Sequence, residues 1–80
     1  MTTKEKVKKI ISKVFKLEEV IIQDELGLND HANWDSMGQL ILLSALEQEF
    51  NLNINFEDSL ELTNVKSIIN FFEIKNDGKQ

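Results

Sequence analysis

His31, Asp35 and Ser36 supply the three side-chain types of a hydrolytic triad within a short stretch of chain. Such a triad needs a base within hydrogen-bond reach of the serine and a third group that orients the base. Nothing in the sequence places His31 there, because it lies in a segment rich in turn-formers; no catalytic residue and no enzyme are expected. Asp30, Asp35, Glu57 and Asp58 are hard oxygen donors, but their spacing is not that of an EF-hand loop. With one histidine and no cysteine, neither a two-imidazole nor a thiolate site can be built, and no dedicated metal site is expected. Ser36 has another use. Asp35 reads as the N-cap of a helix beginning at Ser36, which puts the serine hydroxyl at the positive helix end, beside backbone N–H groups with no intrahelical partner. That is a favourable place for a phosphate, including one attached covalently. Capping alone favours the plainer reading of a good first-turn residue.

The elements that position these residues are read from periodicity, since proline is absent and glycine scarce. Val7, Ile10, Ile11, Val14 and Phe15 follow a helical i, i+3, i+4 pattern, with Thr3 as the expected N-cap and the lysines mostly on the opposite, solvated face. Residues 17–35 form a long connection. Gly27, Asn29, Asp30 and Asn33 turn it, while Leu26, Leu28 and Trp34 pin it to the core. A second helix runs from Ser36 to Phe50. Gln39, Leu42, Leu43, Leu46 and Phe50 share its core side; Met37, Ile41, Ser44 and Gln48 lie opposite. An amphipathic helix should be polar there, and this face shows Met and Ile but no charge. It is either a docking surface or covered by the rest of the domain. A helical turn is expected over Phe56–Glu61, then a last helix capped by Thr63 or Asn64, with Val65, Ile68, Ile69 and Phe72 as its apolar stripe and Phe71 broadening it. The alternation over Asn51–Asn55 is too short for a strand. The fold class is all-α: three main helices, one short helix, and a long loop between the first two. Residues 1–75 form the expected domain and 76–80 a flexible polar tail.

Composition narrows the partners. Eighty residues make one domain with a small core. The net charge is −5, divided unevenly: residues 1–16 hold six lysines and one acid, whereas residues 17–80 hold three lysines and thirteen acids. Arginine, the usual bidentate reader of phosphates and bases, is absent, so nucleic acid is not an expected partner; the acidic body favours basic partner surfaces. No apolar run approaches the roughly 20 residues of a membrane span, and Met1-Thr2-Thr3-Lys4 is unlike the start of a signal peptide. A cytoplasmic monomer without stable membrane insertion is expected.

Trp34-Asp35-Ser36-Met37, opening an apolar helix, resembles the acyl carrier protein family, in which an Asp-Ser-Leu or Asp-Ser-Met triplet begins the second helix. The likeness covers nearly the whole chain. Ala45-Leu46-Glu47-Gln48-Glu49-Phe50 is similar to the family's Ala-Leu-Glu-Glu-Glu-Phe helix ending, Ile54 follows at the family's spacing, and Leu62-Thr63-Asn64-Val65 resembles the junction into its last helix. The resemblance implies an acyl-carrier-like bundle and a cofactor, 4'-phosphopantetheine, moved from coenzyme A to Ser36 by a phosphopantetheinyl transferase, with Asp35 beside it. It also implies a thioester on the cofactor thiol, presented to acyl-loading and downstream fatty-acid, polyketide or accessory enzymes. The absence of cysteine accords with a working thiol on the cofactor. Positions matching the acyl shelter of fatty-acid carriers are Leu42, Leu46, Ile54, Leu62 and Ile68, which ordinary core packing explains as well.

The chain departs from the family on the outer face of the second helix. Acids common there are replaced by Gly38, Ile41 and Gln48, while Asp35, Glu47 and Glu57 remain. This points to a specialised carrier whose docking residues, Met37, Gly38, Ile41, Ser44 and Gln48, make an apolar rather than a salt-sensitive contact. Tryptophan before the Asp-Ser pair is also similar to stand-alone D-alanyl and other aminoacyl carriers. An aminoacyl cargo, or a helical interaction module with an unmodified Ser36, are the alternatives.

Overall fold

In the computed structural model, which describes residues 1–77, four α-helices follow one another: α1 (Thr3–Phe15), α2 (Ser36–Phe50), α3 (Phe56–Ser59) and α4 (Val65–Phe72). A 3₁₀ turn over Glu19–Ile21 interrupts the α1–α2 connection, and a π-helical turn over Glu73–Asp77 extends α4. Among the described residues there is no strand, only an isolated antiparallel bridge between Gly27 and Asn64. The all-α expectation holds. The helical turn reaches Asp77, and the Asn76 side-chain amide donates to Thr3 Oγ1 at 3.3 Å. Residues 78–80, the remainder of the expected tail, lie outside the described residues.

Local chemistry sets the boundaries. α1 begins one residue earlier than Thr3 as a cap would require: Thr2 is the N-cap, its Oγ1 accepting from the Glu5 N–H at 3.1 Å while the Glu5 carboxylate accepts from the Thr2 N–H at 2.9 Å. The reciprocal bond needs a glutamate three positions after the cap, and Glu5 stands three after Thr2. Thr3 is instead buried as the first helical residue. The Thr2 backbone bond holds the Glu5 carboxyl below its ordinary range. α1 and α2 end on Lys16 and Asn51, both left-handed, with φ of 57° and 52°. α2 spans the expected Ser36–Phe50. The turn expected over Phe56–Glu61 is α-helical only to Ser59, then tightens: the Glu61 and Leu62 N–H groups donate to Asp58 and Ser59 carbonyls three residues back. Asn64, not Thr63, caps α4.

The core joins Val7, Ile11 and Phe15 of α1 to Leu42 and Leu46 of α2 and Val65, Ile68, Ile69 and Phe72 of α4. Trp34 enters it from the long loop, fully buried and stacked on Phe15 at 5.0 Å; Phe50 stacks on Phe72 at 4.5 Å. Leu26 and Leu28 pack against its edge as expected, but Leu17 and Ile22 are more deeply buried pins that the sequence reading did not single out. The loop is therefore clamped at both ends. Its middle is stitched to the α3–α4 junction, where the Leu28 N–H donates to the Thr63 carbonyl at 2.8 Å and the Val65 N–H to the Leu26 carbonyl at 2.9 Å.

Candidate functional site

Ser36 is the first residue of α2 and is exposed. Asp35 directly before it has extended backbone, and its Oδ1 accepts from the Gly38 N–H at 2.8 Å. Its carbonyl accepts from the Gln39 N–H at 2.8 Å. These two bonds account for the third and fourth N–H groups of the helix. The N–H groups of Ser36 and Met37 have no partner among the described residues. An exposed hydroxyl thus stands beside two free donors at a positive helix end, the arrangement that suits a phosphate oxygen. Asp35 contributes as the cap that fixes this turn.

The segment before the serine is tied down by hydrogen bonds. The Asn29 N–H donates to the Trp34 carbonyl at 2.7 Å, and the Asn33 side-chain amide donates to the Phe15 carbonyl at 2.8 Å, tying the loop to the end of α1. Asn29 supports this turn with φ of 73°, a left-handed geometry that asparagine tolerates. His31 does not serve Ser36. Its Nδ1 accepts from the Asn33 N–H at 3.1 Å, closing a local turn. No group of three or more histidine, cysteine, aspartate or glutamate side chains able to hold a metal occurs among the described residues.

The outer face of α2 is open to solvent. Met37 is 66% and Ile41 53% exposed, and Ser44 and Gln48 are exposed beside them, so this face is not covered by its own domain. Leu40, 66% exposed, extends the patch. At 100° per residue it falls on the side of Ser36 and Ser44, a placement that the helical period alone gives. Phe56 and Leu60 are exposed one helical turn apart on and just beyond α3. Gly38 does not belong to this face. It is buried, and a Cβ there would overlap the Asn33 carbonyl oxygen and lie 2.9 Å from Phe15 Cε1. The close approach it permits is by the chain's own loop, not by a partner.

Leu42, Leu46, Leu62 and Ile68 are buried in the common core, and Ile54 packs at its margin. Leu62 also lines an open depression of about 260 Å³ with Asp58, Glu61, Ser67, Asn70 and Phe71. The Glu47 carboxylate accepts from the Ile54 N–H at 2.7 Å, so one of the remaining acids on α2 fixes the approach to α3.

The family model described as "Phosphopantetheine attachment site" matches residues 5–72. The chain belongs to the acyl carrier protein family. It is 34% identical over 71 residues to the acyl carrier protein of Buchnera aphidicola subsp. Schizaphis graminum, covering 89% of this chain and 90% of that one. It is 38% identical over 68 residues to the acyl carrier protein of Buchnera aphidicola subsp. Baizongia pistaciae, covering 85% and 87%. Membership makes this an acyl carrier domain with 4'-phosphopantetheine as its covalent cofactor. Among the described residues no helix is long and apolar enough to cross a membrane.

Proposed function

We propose that Ser36 carries the phosphopantetheine and that the chain presents acyl intermediates to biosynthetic enzymes while catalysing nothing itself. The observation that carries this reading is the exposed Ser36 hydroxyl at the start of α2, beside the unpartnered Ser36 and Met37 N–H groups. When attached, the cofactor supplies a thiol that holds the acyl group as a thioester on a flexible arm, raising its effective concentration at each enzyme. The protein's own part is to hold the Ser36 oxygen clear of the core for a phosphopantetheinyl transferase. Its two N–H groups and the helix end then offset the phosphate charge.

Docking of the enzymes falls to Met37, Leu40 and Ile41, flanked by Ser44 and Gln48. These side chains expose apolar surface where charge would otherwise be expected, so partner binding is less salt-sensitive than a contact between charged faces. Leu42, Leu46, Leu62 and Ile68, with Ile54, are the residues a sheltered acyl chain would displace. The reading is tested by incubating the protein and its Ser36→Ala variant with coenzyme A and a promiscuous transferase, then measuring intact mass. A phosphopantetheine increment on the wild type alone is expected. An equal increment on the variant, or none on either with an active transferase, refutes it.

A further inference from the structure

Among the described residues, two polar side chains are buried, Thr3 and Gln39. Gln39 lies one turn into α2 and spends its amide in two directions. Its Oε1 accepts from Trp34 Nε1–H at 2.7 Å, and its Nε2–H donates to the Leu62 carbonyl at 2.7 Å. Both bonds are buried. The first grips the residue immediately before the Asp35 cap; the second grips the junction between α3 and α4. Trp34 is held from its other sides by the Phe15 ring and the Asn29 N–H. Burying an amide costs free energy that its bonds only just recover, and an apolar pair of similar shape can be as stable. What a fully paired buried network adds is a single arrangement. The arrangement fixed here is that of the Trp34-Asp35-Ser36 turn.

We infer that Gln39 is a positioning residue for modification of Ser36, acting through Trp34 to hold the serine hydroxyl in place and through Leu62 to tie that turn to the α3–α4 junction. The inference rests on Ser36 being the attachment site. In the transfer, the Ser36 oxygen forms a bond to the phosphorus next to the pantetheine arm of coenzyme A. The pyrophosphate P–O bond breaks, adenosine 3',5'-bisphosphate leaves, and the hydroxyl proton passes to a base on the transferase. Such an in-line attack depends on where the oxygen sits, and a misplacement of about 1 Å can cost up to about a hundredfold in rate. Gln39 touches none of the reacting atoms.

The test is the steady-state kinetics of transfer onto the intact protein, with thermal melts confirming that each variant is folded at the assay temperature. Gln39→Leu removes both bonds at similar volume, and Trp34→Phe removes the indole donor while keeping the stacked ring. Each is expected to lower kcat about tenfold with KM changed less than twofold, and the double variant to lose no more than the worse single one, because the two residues act as one unit. A purely structural role would lower the melting temperature and leave kcat of the folded protein unchanged. The inference is overturned if folded Gln39→Leu keeps kcat within twofold of wild type; should that variant not fold, Trp34→Phe decides on the same criterion. Wild type that is not modified, or Ser36→Ala that is, overturns the attachment reading itself and is separable from either result.

Discussion

α1 and α2 are helices of similar length, 13 and 15 residues, and each buries one face in the same core, yet their outer faces are opposites. α1 turns lysines to solvent, with Lys4, Lys9 and Lys13 exposed. It meets the ordinary requirement of an amphipathic helix and nothing in it exceeds what folding asks. α2 turns Met37, Leu40 and Ile41 to solvent instead. Folding gains nothing from that exposure, and solubility loses by it. The apolar exposure lies on the helix that begins with Ser36, and core packing does not account for it. The two helices also start differently. The Thr2–Glu5 pair satisfies two N–H groups at the head of α1, whereas α2 leaves its first two donors open beside an exposed serine hydroxyl.

Substitutions on the two helices test this contrast. The largest effect is expected at Gly38, where the two helices and the loop meet. Gly38→Ala forces a methyl against the Asn33 carbonyl and the Phe15 ring and should cost roughly 1–3 kcal/mol, read as a fall in urea midpoint with unchanged slope. Ile41→Glu should leave the melting curve close to wild type but weaken binding to the chain's own loading enzyme about tenfold, about 1.4 kcal/mol, and make that binding more salt-dependent. Titrations at two ionic strengths check both; unchanged affinity would remove Ile41 from the docking face. Glu5→Gln should have a smaller effect, visible as a change in pH dependence. The folded Glu5 carboxyl lies below its ordinary range because the Thr2 N–H donates to it. Its contribution is therefore present above the unfolded-state value and lost as pH falls through the lowered folded one. Acid unfolding of the variant should begin with a shallower slope over that window. Lys9→Glu, on the outer face of α1, should change stability by no more than about 0.5 kcal/mol and leave enzyme binding unaffected.

Much of this was legible beforehand because the physics is local. The Asp35 cap, the whole of α2 and the apolar stripe of α4 follow from capping chemistry and a 100° period; the uncharged face around Ile41 is legible too, but its exposure is seen only in the fold. Other features depend on contacts between segments distant in sequence. Gly38 reads as an exposed first-turn glycine until the loop carbonyl of Asn33 is seen against it. Gln39 reads as a core-side residue, but its partners, Trp34 and the Leu62 carbonyl, are brought together only by the fold. Val20, Ile21 and Ile22 are three apolar residues in a row, and only the packing of the connection shows that Ile22 turns inward while Val20 and Ile21 face solvent. The one-residue error at the head of α1 was avoidable, since the spacing from Thr2 to Glu5 is itself the capping-box pattern.

Five serines offer hydroxyls in this chain, at positions 12, 36, 44, 59 and 67, and Ser44 is exposed on the same helix as Ser36. Only Ser36 stands at a helix start with free donors beside it. Fragmentation of the intact modified protein in a mass spectrometer, after transfer from coenzyme A, locates the increment to a residue. A single phosphopantetheine on Ser36 is expected. An increment on Ser44 or on any other serine would contradict it.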